Sequence, residues 1–250
     1  MSTAVEGATV LVTGANGGLG AEFVQQALDR GAKKVYATAR TPWEWHDSRV
    51  VPLRLDVTDS DSVTAAAAAA SDTTLVVNNA AIAILPDRLM YLPMSEIRRT
   101  FDTNFFGALD VARTFAPVVG RNGGGAFLHV HSVLSWFVGD PSEPVSGGHG
   151  AYSASKSALW SATNSLRLEL VAQGTHVLGL HLGYTQTPMT ATITDDDMES
   201  PADIVRIAYD ALVAGEYEVA ADWRSQGIKA ALSGPIEGIY PQLAVSRSHR

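Results

Sequence analysis

The chain has 250 residues, 46% of them hydrophobic and 18% charged, with a formal net charge of −8. That is enough for one large unit with a substantial core, and too apolar for a disordered chain. The acidic balance argues against nucleic-acid or anionic-membrane partners, and the lack of cysteine excludes disulfides, thiolate metal sites and cysteine nucleophiles.

The opening MSTAVEGATVLVTG has no basic leader and no long apolar run, so we expect a cytoplasmic protein without signal peptide or spanning helix. Short apolar runs then alternate with longer helical stretches. Strands are expected at Ala8–Thr13, Lys34–Ala39, Val51–Leu55, Leu75–Asn78, Gly125–Ser132, His176–Leu182 and Tyr217–Ala220. Helices are expected near 18–30, 59–70, 95–119, 151–173 and 201–214. Runs that are apolar throughout, such as ATVLVT and THVLGLHL, suit strands covered on both faces, as in parallel sheets. Their alternation with helices indicates a single-domain, Rossmann-type, doubly wound α/β sheet over 1–250. The Ala65–Ala70 run reads as a small-faced helix, and the acidic Asp195–Asp197 run as a solvated loop.

VLVTGANGGLGAEF follows the first strand and opens the first helix, with glycines at Gly14, Gly17, Gly18 and Gly20. A turn of this kind lets backbone N–H groups approach a pyrophosphate, and the helix N-terminus adds favourable partial charge. After the second strand, VYATAR places Ala39 and Arg40 where an NAD-preferring site would carry an acidic residue. A guanidinium there can hold a 2′-phosphate, so NADP(H) is favoured, with NAD(H) as the alternative.

The TGxxxGxG spacing from Thr13 to Gly20 resembles the short-chain dehydrogenase/reductase family, and further matches follow in order. LDVTD carries Asp56, and VVNNAA resembles an NNAG strand end with Ala81 as the last residue. FDTNFFG carries Asn104, AYSASK supplies YxxxK as Tyr152 and Lys156, and LGYTQT resembles PGxxxT with leucine for proline. The resemblance implies a cofactor-binding set of Gly14, Asn16, Gly18, Leu19, Gly20, Arg40, Asp56, Val57, Asn79, Ala80, Tyr152, Lys156, Gly183, Thr185 and Thr187. It also implies catalytic roles for Asn104, Ser132, Tyr152 and Lys156.

Carbonyl reduction needs a proton donor beside the oxygen. A phenol near its usual pKa of ~10 is sluggish near neutrality, and a lysine ammonium four residues along a helix shares its face and would acidify it. The family's catalytic serine ends its fifth strand. Ser132 ends GAFLHVHS, whereas Ser135 lies beyond it. The Pro/Gly-rich stretch 139–150 reads as an inserted loop. His149, without an evident carboxylate partner, reads as structural or exposed, and packing is the default for His129 and His131. No metal-ligand cluster is evident.

The segment about 184–200 is short, which leaves little chain for a substrate lid; the tail about 222–250 would fold toward the pocket or a subunit interface. Leu134, Trp136, Phe137, Tyr184 and Met189 are expected around a hydrophobic ketone, aldehyde or secondary alcohol. Faces carrying Ala108, Val111 and Ala112, and Ala158, Ala162 and Leu166, either pack in the monomer or pair subunits in a homodimer or homotetramer, as the resemblance implies. The competing functional readings are a non-catalytic dinucleotide-binding regulator or scaffold, and a sugar-nucleotide epimerase, which the chain length disfavours.

Overall fold

The computed structural model describes residues 5–140, 148–193 and 197–245. Strands β1 (Thr9–Thr13), β2 (Lys34–Ala39), β3 (Val50–Arg54), β4 (Leu75–Asn78), β5 (Gly125–Val130), β6 (Thr175–His181) and β7 (Glu218–Ala220) form one seven-stranded parallel sheet in the order β3-β2-β1-β4-β5-β6-β7. The helices are α1 (Gly18–Asp29), α2 (Ser60–Ala69), α3 (Met94–Phe101), α4 (Ala108–Arg121), α5 (Gly150–Leu170), α6 (Pro201–Val213), α7 (Trp223–Ala231) and α8 (Gln242–Val245). No described helix is long and apolar enough to cross a membrane.

Two apolar layers cover the two faces of the sheet. One holds Val10, Val12, Phe23, Leu128 and Tyr209, where the Phe23 and Tyr209 rings meet edge-on at 5.4 Å. The other holds Leu11, Val63, Val111, Phe115 and Phe127. Strands β1, β4, β5 and β6 are buried along their whole length, as their unbroken apolar runs require. The edge strand β3 is largely exposed and carries Pro52, which would cost a ladder bond in a central strand.

Several boundaries differ from the sequence reading. The expected continuous helix over 95–119 is interrupted by a π-helical stretch at Asp102–Gly107. The expected 151–173 helix ends at Leu170 and passes into a 3₁₀ turn, Val171–Gln173. β5 stops at Val130, so Ser132 does not end the strand; it caps a 3₁₀ turn, Val133–Ser135, by accepting from Leu134 N at 3.2 Å. The tail contains α7, capped by Asp222, which accepts from Ser225 N at 2.8 Å. It also meets the 138–140 segment through Tyr240 and Gln242. Ala108, Val111 and Ala112 are buried inside the chain, so that face is core, whereas on the second face Leu166 is buried and Ala158 and Ala162 are half-buried. Asp195 and Asp196 of the acidic run, and residues 141–147 of the inserted loop, lie outside the described residues.

Candidate active site

The order of strands reverses between β1 and β4, the position at which open α/β sheets bind ligands beyond the strand carboxyl ends. The two strand ends are laced together there. Thr13 Oγ1 accepts from Asn79 N (2.9 Å) and Ala80 N (3.0 Å), while Asn79 Nδ2 donates to Thr13 O (2.9 Å). Gly14 has φ +68 and Gly18 φ +53, a region that disfavours side chains. A Cβ on Gly20 would lie 2.0 Å from Gly14 O. Gly20 thus serves close packing of α1 under the loop.

A cavity of about 1710 Å³ opens over this point. Its cofactor-side wall carries Gly14, Asn16, Gly18 and Leu19 from the glycine loop, Arg40 beyond β2, and Asp56 and Val57 beyond β3. Asn79 and Ala80 follow β4, and Gly183, Thr185 and Thr187 follow β6. Asn16 joins two of these loops, donating to Thr41 O (2.7 Å) and accepting from Trp43 N (3.2 Å). Arg40 is exposed and makes no side-chain hydrogen bond or ion pair among the described residues. Asp56 accepts from Thr58 N and Oγ1 (3.0 and 2.8 Å), bonds that hold its carboxyl below the usual range, with Arg40 and Arg54 acting the same way. Trp43 also lines the wall, whereas Trp45 packs on the core.

Ser132, Tyr152 and Lys156 share the same cavity; Ser135 does not reach it and turns its hydroxyl toward Ser132 N. Lys156 Nζ donates to Val130 O at 2.8 Å and lies 5.7 Å from the centroid of the Tyr152 ring. Burial pushes the phenol up to about 12, partly opposed by a hydrogen bond from Ser132, and pushes the Lys156 ammonium down to about 8. Without the dinucleotide's positive charge beside it, desolvation is the largest influence on the phenol.

Asn104 is fully buried and off the cavity wall. Its Oδ1 accepts from Ile82 N (2.8 Å), and its Nδ2 donates to Ile82 O (2.9 Å) and Ser155 Oγ (3.1 Å). The widened π turn sets it among these partners. Leu134, Phe137, Tyr184 and Met189 line the substrate side as expected, but Trp136 does not: its ring stacks on His181 at 3.8 Å. His181 continues to His131 (4.8 Å) and His129 (6.3 Å further), and both ring nitrogens of His129 and His131 are buried without a hydrogen-bond partner among the described residues. Burial pushes His129 down to about 3, so it is neutral.

Two residues, one on the wall and one behind it, had little signal in the sequence. Arg224 reaches the cavity from α7 and lies over the Tyr184 ring at 5.7 Å; the Asp222–Ser225 cap spacing could have revealed its helix. Asp87 supports Tyr152 from a distant loop and left no local pattern. Among the described residues, no group of three His, Cys, Asp or Glu could hold a metal ion.

The residues fit a dinucleotide. The glycine cradle excludes side chains, and Thr185 Oγ1 is a buried hydroxyl on the wall with no partner among the described residues. Fold and site together define an α/β protein with a dinucleotide-type cleft at its sheet switch point.

The sequence pattern described as short chain dehydrogenase matches residues 8–198. An uncharacterized oxidoreductase of Myxococcus xanthus is 30% identical over 230 residues, 86% of this chain and 88% of that protein. D-erythrulose reductase of Gallus gallus is 31% identical over 207 residues, 80% of each chain. A short chain dehydrogenase from Burkholderia cenocepacia, solved in complex with NADP, superposes with a TM-score of 0.85 at 31% identity, covering 96% of this chain and 98% of that one. The chain belongs to the short-chain dehydrogenase/reductase family of oxidoreductases.

Proposed function

We propose that this protein is an NADP(H)-dependent oxidoreductase interconverting a carbonyl and an alcohol. The observation that carries this reading is the convergence of Ser132, Tyr152 and Lys156 on one cavity with the glycine loop. When bound, the nicotinamide dinucleotide supplies or takes up the hydride. The protein's own groups do the rest.

In this reading, the Ser132 hydroxyl hydrogen-bonds the substrate oxygen. The Tyr152 phenol gives that oxygen its proton during reduction and recovers it during oxidation. With burial holding it protonated, Tyr152 at neutral pH is set as the donor, the form that carbonyl reduction requires. Lys156, still mostly protonated at pH 7, steadies the charge that develops on the phenol oxygen. Asn104 braces the Tyr helix through Ser155 and the cofactor-side loop through Ile82. Thr185 and Thr187 would hold the nicotinamide end, and Asp56 and Val57 the adenine end.

Arg40 supports NADP(H) over NAD(H): an exposed guanidinium on the wall, with no carboxylate at the end of β2 to repel a 2′-phosphate. The Burkholderia cenocepacia relative was solved in complex with NADP, which supports a nicotinamide dinucleotide in this cleft. The substrate body is apolar, fitting Leu134, Phe137, Tyr184 and Met189.

Initial rates at the reduced-cofactor absorbance band, with NADPH and NADH over a panel of ketones and aldehydes, test the reading. Turnover favouring NADPH supports it; tight NADPH binding without turnover on any carbonyl would replace it with a non-catalytic binding role.

A further inference from the structure

We propose that Asp87 is a positioning residue for Tyr152: it caps α5 from a distant loop and so seats the phenol in the cavity. This rests on the carbonyl–alcohol reading above.

A helix leaves its first N–H groups without intrahelical acceptors, and a side chain at the N-cap commonly accepts them. α5 begins after His149, whose side chain makes no capping bond. Asp87, 2% exposed, takes that part. Its Oδ1 accepts from Ala151 N at 2.9 Å and its Oδ2 from Tyr152 N at 2.8 Å, across 64 and 65 residues of sequence. Its backbone carbonyl accepts from Gly150 N at 3.0 Å. Three successive N–H groups of the first turn thus end on one residue. The carboxylate also lies at the positive end of a 21-residue helix, where negative charge is favoured.

The link to chemistry lies in which residues are tied. The N–H of Tyr152 goes to Asp87, and its carbonyl accepts from Ser155 Oγ at 2.7 Å; Ser155 in turn accepts from Asn104, which brackets Ile82. Ile82 and Asp87 belong to the same segment, which leaves β4 carrying Asn79 and Ala80 on the cofactor side of the wall. One loop therefore fixes both the cofactor wall and the main chain of the proton donor. The phenol oxygen stands at the far end of a long side chain, so a small tilt of this turn displaces it where rate is sensitive to about 1 Å. His149, read from sequence as lacking a carboxylate partner, has Asp87 alongside it through a parallel backbone bridge.

The test compares wild type with Asp87→Ala, which removes both acceptors, and Asp87→Asn, which keeps one. It measures kcat and KM with NADPH and a ketone substrate, Kd for NADPH by fluorescence titration, and hydrogen exchange at amides 150–153. For Asp87→Ala we expect kcat to fall about 10- to 100-fold, with KM and Kd within about threefold and faster exchange confined to 150–153; Asp87→Asn should recover most of kcat. A kcat within about twofold of wild type, or kcat and Kd failing together, or unchanged exchange at 150–153, would overturn the assignment. If Asp87→Ala does not fold, Asp87→Asn decides: reduced kcat at unchanged Kd supports the role, and wild-type kcat with wild-type exchange overturns it. A wild-type protein without turnover would defeat the carbonyl–alcohol reading instead, and the exchange arm would still decide whether Asp87 seats the turn.

Discussion

Lys156 Nζ lies 5.7 Å from the centroid of the Tyr152 ring while donating a 2.8 Å hydrogen bond to Val130 O, so the ammonium sits beside the phenol and is held by a strand carbonyl. Burial acts on the two groups in opposite directions, raising the acid to about 12 and lowering the base to about 8, and in each case favours the neutral form.

That relationship fixes a stability consequence. The folded-state pKa of Lys156 is depressed from 10.5 to about 8, so below pH 8 both folded and unfolded states are protonated and the full cost of burying the charge is present. Between pH 8 and 10.5 the unfolded chain binds more protons, and wild-type stability gains with rising pH from this group. Lys156→Met should therefore stabilise the protein at pH 7 by up to about 3 kcal/mol, an advantage that shrinks toward pH 10. Urea melts at the two pH values check this; a variant less stable at pH 7, or a gap independent of pH, would contradict it.

The glycine loop gives a paired steric test. Gly20→Ala puts a methyl carbon 2.0 Å from Gly14 O and 2.8 Å from Gly14 C, backbone atoms that cannot step aside cheaply. We expect a loss of about 1–3 kcal/mol and weaker cofactor binding. Gly17 has an extended φ of 168, and its nearest neighbour would be Trp43 at 3.9 Å. Gly17→Ala should therefore leave stability within about 0.5 kcal/mol. Thermal melts of both variants distinguish them.

Arg40 sets the cofactor preference in this account. Arg40→Ala should weaken NADPH binding about tenfold, as loss of one charge-assisted phosphate contact implies, and leave NADH affinity unchanged. Isothermal titration with both cofactors measures the ratio; equal losses for the two would remove Arg40 from the phosphate.

How much was legible in the sequence follows from which interactions are local. The glycine turn, the Tyr152–Lys156 helical spacing and the buried strand runs are local patterns, and all recur in the structure. Ser132 reached the cavity for a different reason from the one expected: it caps a short turn beyond the strand. Trp136 looked like a pocket aromatic, yet its direction depends on His181, 45 positions away in sequence, whose ring it covers. The π turn around Asn104 and the cap supplied by Asp87 both depend on partners far along the chain, which no window of local periodicity can contain. Desolvation also escapes the sequence: the spacing of Tyr152 and Lys156 puts both on one helix face, but only the structure shows that both are buried.

Replacing Tyr152 by phenylalanine tests the central claim most directly, because it deletes the one oxygen assigned to proton transfer and leaves the ring's packing in place. With saturating NADPH and the best carbonyl substrate, Tyr152→Phe should lower kcat by about 10²- to 10⁴-fold while NADPH Kd stays within about threefold. Wild-type turnover in that variant would contradict the account.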